Sequence, residues 1–188
     1  MTKKRPLLRK FLRNWVLSKI LLHTCCGPCT TYVNQWLSEN SFEVTGFFYN
    51  PNIRPQQEYA RRRSTMESYA GQVGLKVLFE QNDVETEPGL CELCYVGRLR
   101  KTAERARELG FECFSTTLLI SPYQKHELLK NLGEKIAVET GVKFFYHDFR
   151  PGFRAGQQAA REMKLYRQKY CGCGIELKNK EAQNAQVG

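Results

Sequence analysis

The stretch Lys19-Ile20-Leu21-Leu22-His23-Thr24-Cys25-Cys26-Gly27-Pro28-Cys29 decides the fold. Residues 19–24 are an apolar run that reads as a buried strand. Gly27 and Pro28 mark a turn, after which Tyr32, Val33, Trp36 and Leu37 recur on one face of a helix. A strand feeding a helix through a cysteine-rich turn is the opening of a βαβ unit.

The pattern then repeats in both period and order. Residues 42–49 read as a second strand. Residues 50–55 carry two prolines that forbid regular structure, and the helix that follows is expected to turn Tyr59, Met66, Tyr69, Ala70 and Val73 inward. A short strand at 76–79 precedes a helix starting near Cys91, with Tyr95, Leu99, Ala103 and Ala106 at helical spacing. A fourth strand is expected over 113–120. Ser121-Pro122 opens a helix with a stripe of Leu128, Leu129, Leu132 and Ile136 that Gly141 ends. A fifth strand at 143–147 and a last helical stretch over 155–166 lead to Cys171-Gly172-Cys173. Strands separated by helices of ten or more residues imply an α/β fold: one domain with a parallel sheet covered by helices on both faces, Rossmann-like or HUP-like. The expected organisation is a basic arm over 1–18, an α/β domain over 19–177 and a flexible tail over 178–188. In such folds ligands sit beyond the carboxyl ends of the strands, where Cys25 to Cys29, Ser121 and Asp148 all fall.

The chain has 188 residues and is 41% hydrophobic, enough for a core that needs no disulfides. Lys and Arg outnumber Asp and Glu by 29 to 19, for a net charge of +10, and a polyanion such as a nucleic acid is the natural partner. Lys3, Lys4, Arg5, Arg9, Lys10, Arg13 and Lys19 all precede the first acidic residue, Glu39, forming an arm suited to phosphates. Arg9, Lys10, Arg13 and Lys19 also interrupt every apolar run before it reaches the length of a signal peptide or a membrane span. A reducing cytoplasm is the expected compartment, and there eight cysteines point to metal or redox work.

Seven of those eight fall into three groups: Cys25, Cys26 and Cys29; Cys91 and Cys94; Cys171 and Cys173. Thiolates separated by two residues can ligate one metal, and two such groups supply four ligands, which suits zinc as well as an iron–sulfur cluster. A structural zinc would leave Cys29, Cys171 and Cys173 idle. Cys26-Gly27-Pro28-Cys29 also matches the thioredoxin tetrapeptide, although that chemistry needs neither a second CxxC nor a CGC. A disulfide across the single residue of Cys171-Gly172-Cys173 would be readily reduced, which suits an electron relay; the alternative is a further pair of metal ligands. Cys113, inside an apolar strand, reads as a small core residue.

The other candidates are less specific. Asp148, just past a strand and two positions before Arg150, could act as an acid or orient a metal-bound water, or simply pair with the arginine. His23, His126 and His147 lack zinc-like spacing, and His126 reads as a surface helix residue. Arg61, Arg62 and Arg63 read as a solvent-facing basic turn of helix, with phosphate contact as the sharper alternative.

Taken together, Leu22-His23-Thr24-Cys25-Cys26-Gly27-Pro28-Cys29, Phe48-Tyr49-Asn50-Pro51-Asn52-Ile53, the Cys91/Cys94 pair, Thr116-Thr117-Leu118-Leu119-Ile120-Ser121-Pro122, Asp148-Phe149-Arg150 and Tyr166-Arg167-Gln168-Lys169-Tyr170-Cys171-Gly172-Cys173 resemble the cobalamin-independent epoxyqueuosine reductases. The resemblance implies reduction of the epoxide of epoxyqueuosine to queuosine in the anticodon loop of tRNA, with an external electron donor. It also implies a [4Fe-4S] cluster on Cys25, Cys26, Cys91 and Cys94, a redox-active pair at Cys171 and Cys173, and no cobalamin. Cys29, where some members carry Asp, becomes a candidate ligand of a second, mononuclear iron. Competing readings of the same residues are a zinc-stabilised RNA-binding module and a thiol–disulfide oxidoreductase.

Overall fold

A computed structural model describes residues 18–81, 91–168 and 170–172. Among them, β1 (Ser18–His23), β2 (Phe42–Phe48), β3 (Val77–Phe79), β4 (Cys113–Thr116) and β5 (Lys143–Phe144) form one sheet in the order β3-β2-β1-β4-β5. Every neighbouring pair is parallel, with Ile20 opposite both Val44 and Cys113. Because both faces of a parallel sheet are covered, its central strand reads as an unbroken apolar run, and Ile20, Leu21 and Leu22 are fully buried.

Helices α1 (Gly27–Glu39), α2 (Gln56–Val73), α3 (Cys91–Glu108), α4 (His126–Thr140) and α5 (Phe153–Glu162) supply the cover. Helix α1 packs with α2 and α5, while α3 packs with α4. Right-handed crossovers put these two groups on opposite faces, because the chain leaves β1 in one direction for β2 and β3 and in the other for β4 and β5. Phe47, Phe114 and Phe149 anchor the main core, and Phe48, Met66 and Tyr69 a second cluster beneath α2. Each such side chain contributes about 1.5–3 kcal/mol by leaving water. The reversal of strand order between β1 and β4 is the topological switch point at which open α/β sheets bind ligands.

The structure corrects several expectations. The fourth strand stops at Thr116, and Thr117–Ile120 is a 3-10 helix, because the Thr116 hydroxyl accepts a hydrogen bond from Leu118 N. The fifth strand has two residues rather than five. Helix α4 begins at His126, not at Ser121-Pro122, although Gly141 ends it in the left-handed region as expected. Val73, expected inward, is exposed at the end of α2, while Ala70 is half-buried. The arm and the tail lie almost wholly outside the described residues, and no helix among those described is long and apolar enough to cross a membrane.

Candidate metal and redox site

The carboxyl end of β1 delivers Cys25 and Cys26 into the amino terminus of α1. Gly27 and Pro28 occupy the first turn of that helix, and Cys29 follows. A Cβ on Gly27 would lie 3.0 Å from both the methyl and the carbonyl oxygen of Thr65, so glycine is what lets α2 close against this turn. The Sγ atoms of Cys25, Cys26 and Cys29 lie within 4.8 Å of one another and are buried, a group able to hold a metal ion. Cys25 N donates to Thr117 Oγ1 at 3.1 Å, and that hydroxyl reaches Cys25 Sγ at 3.5 Å, so the 3-10 turn after β4 props the first cysteine.

Three thiols at this spacing cannot all ionise on their own. Hydrogen bonds from the Cys26 and Cys29 thiols hold Cys25 well below the usual thiol range. Burial, together with Cys25, pushes Cys26 up to about 12, and the bonds to Cys25 and Cys26 push Cys29 well above normal. The arrangement favours negative charge on Cys25 over its two neighbours, and a cation that neutralises the mutual repulsion would favour loss of the remaining protons.

A cavity of about 610 Å³ opens beside this trio, and its wall includes Cys25, Cys29, Cys91, Cys94 and Cys171. Cys91 and Cys94 share one face of α3 with Arg98, one helical turn beyond Cys94, which also lines the cavity. The Arg98 guanidinium is buried, donates from Nε to Asn52 Oδ1 at 2.8 Å, and leaves Nη2 with no hydrogen-bond partner among the described residues. Thiols from three segments and an orphaned buried N–H donor are what a negatively charged thiolate-bound centre requires. Cys26 does not line the cavity; it faces Gln168, whose Nε2 donates to its Sγ at 2.9 Å and to Cys29 Sγ at 3.6 Å.

A family model described as "Epoxyqueuosine reductase QueH" matches residues 20–179. This chain belongs to the QueH family. Proteins named epoxyqueuosine reductase QueH from Dehalococcoides mccartyi and Thermotoga maritima are similar to it. The first is 37% identical over 82% of this chain and 90% of its own length, the second 33% identical over 91% and 96%. A third, from Streptococcus pyogenes, is 33% identical over 84% of this chain and 70% of its own length. A solved pseudoaglycone deacetylase aligns with 90% of this chain and 92% of its own at 13% identity and a TM-score of 0.46, too remote to inform function.

Other sequence-singled residues of this QueH-family chain fall away from the sulfurs. Asp148 does not line the cavity. Arg150 grips both its carboxylate oxygens, at 2.8 and 2.7 Å, and holds its carboxyl down at about 2, so at neutral pH it has no proton to give. His126, expected on the surface, is buried, with Nε2 donating to Leu119 O. His23 is buried and neutral, its pKa pushed down to about 4 chiefly by burial. Its Nε2 donates to Tyr49 O, which leaves Nδ1 to accept from the Thr116 hydroxyl and neither nitrogen open to a metal. His147 stacks on Trp36. Cys113 is a core thiol raised to about 11 by burial. Cys173 lies outside the described residues.

The largest correction concerns Arg62. Expected in solvent, it is 2% exposed and lines the cavity. The signal was present in the sequence: Arg62 occupies the buried stripe of Tyr59, Met66 and Tyr69, as Arg98 occupies that of Tyr95, Leu99 and Thr102. A charge at a core position of an amphipathic helix has to be explained by a partner or a site.

Proposed function

We propose that this chain reduces epoxyqueuosine to queuosine in the anticodon loop of tRNA, using a [4Fe-4S] cluster held by Cys25, Cys26, Cys91 and Cys94, with Cys29 available to a mononuclear iron. The observation that carries the reading is the convergence of thiols from three distant segments on one cavity, in a chain whose family is described by that activity. Deoxygenation takes two electrons and two protons: the epoxide becomes an alkene and its oxygen leaves as water. When bound, the cluster supplies electrons one at a time.

The chain's own residues meet the rest of the demand. Cys171 is exposed at the cavity wall, and with Cys173 it forms a dithiol whose oxidation to a disulfide releases two electrons and two protons. An external donor then restores the dithiol. Arg62 and Arg98 place buried positive charge beside the thiolates. Tyr95, raised to about 12 by burial, keeps its proton and donates it to Gln124 Oε1 at 2.7 Å, fixing the cavity floor. The net charge of +10 favours the polyanionic substrate, the arm over 1–18 is the proposed phosphate contact, and the free thiols suit a cytoplasmic setting.

The test is anaerobic purification, iron, sulfide and zinc analysis, and conversion of tRNA carrying epoxyqueuosine. A coloured protein with iron and sulfide that yields queuosine is the expected result. A colourless zinc protein that binds tRNA without converting it overturns the reading in favour of an RNA-binding module. Activity that survives metal removal but is lost in Cys26→Ser or Cys29→Ser overturns it in favour of thiol–disulfide exchange.

A further inference from the structure

Three consecutive residues on α2 have different fates. Arg61 is exposed, Arg63 is half-buried and pairs with Glu67 on the surface, and Arg62 between them is taken into the interior. A guanidinium leaves water only at a high cost that its partners must offset. Arg62 Nε donates to Glu58 Oε1 at 2.6 Å, and Glu58 is 3% exposed. The other two nitrogens are given to main chain: Nη1 to Cys171 O at 3.0 Å and Nη2 to Tyr170 O at 2.9 Å.

A planar fork across two successive carbonyls fixes the direction of a backbone, which no single-point donor can do. The chain it holds is shaped to it. Gly172 has φ of 104°, in the region that favours glycine, and a Cβ there would sit 2.9 Å from Nη1 and 3.0 Å from Nη2. Gly172 O accepts from Arg54 N at 2.6 Å, the Tyr170 ring lies 5.5 Å from the guanidinium carbon, and the Tyr166 hydroxyl donates to Glu58 Oε2 at 2.7 Å. The same seating brings Gln168 Nε2 to Cys26 Sγ and places Cys171 Sγ 3.9 Å from Gln124 Nε2.

We propose that Arg62, backed by Glu58, is the positioning residue for the carboxyl-terminal cysteine pair: it locks the Tyr170-Cys171-Gly172 backbone against α2 so that Cys171 faces the cysteine-lined cavity. The middle residue of Cys-Gly-Cys is glycine because the guanidinium occupies the space of any side chain. The proposal rests on reading Cys171 and Cys173 as the redox pair, in which the dithiol gives two electrons and two protons to the epoxide and is left as a disulfide. Arg62 acts in this scheme through the Tyr170 and Cys171 carbonyls, and so sets the approach of the Cys171 sulfur.

The experiment uses the full chain, purified without air, as Arg62→Lys, Arg62→Met, Gly172→Ala and, as a control, Arg63→Met. Three quantities are read: bound iron, the rate of iodoacetamide alkylation of Cys171 located by mass spectrometry, and the midpoint potential of the Cys171/Cys173 couple in graded dithiothreitol buffers. Loss of two charge-assisted bonds is expected to raise Cys171 alkylation about tenfold or more in Arg62→Met and Arg62→Lys. The couple's potential should shift and multiple-turnover reduction should fall, while iron stays bound. Gly172→Ala, which replaces no residue of α2 or the core but presses a methyl on the Arg62 guanidinium, should reproduce the effect, and Arg63→Met should match the parent. Arg62→Lys indistinguishable from the parent would mean that charge alone acts and would overturn the proposal. So would parental alkylation and potential in Gly172→Ala. If Cys171→Ser/Cys173→Ser retained full turnover, the redox reading of the pair would fall and the proposed relay with it; the alkylation rates would then still decide whether Arg62 seats this segment.

Discussion

The two cysteine-bearing ends of the site are built in different ways. The cradle of Cys25, Cys26 and Cys29 is made of regular structure: a fully paired central strand, a helix amino terminus and the turn after β4, joined mostly by backbone geometry and close packing. The strap over 166–168 and 170–172, beyond the core residue Leu165, belongs to no helix or strand and is held chiefly by Arg62 of α2 and by the backbone of Arg54. The cradle is therefore as stable as the sheet, whereas the strap is as stable as a handful of polar contacts. A centre that binds a cofactor gains from the first kind of support, and a pair that must cycle between dithiol and disulfide can use the second.

The largest effect should come from depriving the cradle of the α3 cysteines that face it across the cavity. Cys91→Ala/Cys94→Ala should abolish cluster binding, read as bound iron and visible absorbance, since Cys25 and Cys26 alone cannot fill four coordination positions. Cys113→Ala should leave both unchanged, and full iron occupancy in the double variant would remove α3 from the site.

Next comes the strap's anchor. Glu58→Leu strands the Arg62 charge in the interior and takes the acceptor from Tyr166, and should cost about 3–5 kcal/mol in urea unfolding. Glu58→Leu/Arg62→Leu should recover much of that loss while leaving Cys171 unseated, which would separate stability from positioning.

The cradle has a packing counterpart. Gly27→Ala forces a methyl against Thr65 and should cost about 1–3 kcal/mol. A loss well below 1 kcal/mol would show that α2 yields there and that the cradle is less rigid than its burial implies.

The smallest effect is expected at Asp148. Its pairing with Arg150 lowers the folded-state pKa from 3.8 to about 2, so the pair stabilises above the ordinary carboxylate range, and that contribution is lost as pH falls through the folded value. With the side chains 39% and 43% exposed, solvent screens the attraction, and Asp148→Asn should change stability by less than about 1 kcal/mol at neutral pH. Urea midpoints of variant and parent should converge near pH 2. A large neutral-pH loss would place Asp148 with the buried Glu58 pair instead.

How much was legible in the sequence divides along the same line. The run Ile20 to Leu22 and the turn at Gly27-Pro28 carry their own instructions, a buried parallel strand and a helix start, so the sheet, the position of Cys25 and the helix bearing Cys91 and Cys94 could be read directly. The end of the fourth strand could not, because residues 113–120 are equally apolar on both sides of Thr116 and the break is set by a hydroxyl bond to Leu118 N. His126 and Arg62 were assigned by residue type, whereas their helical phase, with Leu129, Gly133 and Ile136 for one and Tyr59, Met66 and Tyr69 for the other, puts both inside. The seating of the strap was beyond local pattern: Arg62 and Cys171 are 109 residues apart, and no periodicity links them.

The bond from Cys25 N to Thr117 Oγ1 joins residues 92 apart in the chain. On a ribosome adding about 5–20 residues per second, the first cysteines emerge roughly 5–20 s before the threonine that props them has been made. During that interval the nascent thiols have no finished nest and are open to oxidation or to stray metal. A metal centre in this nest would therefore wait for arrival of the fourth strand rather than for emergence of the first cysteines themselves.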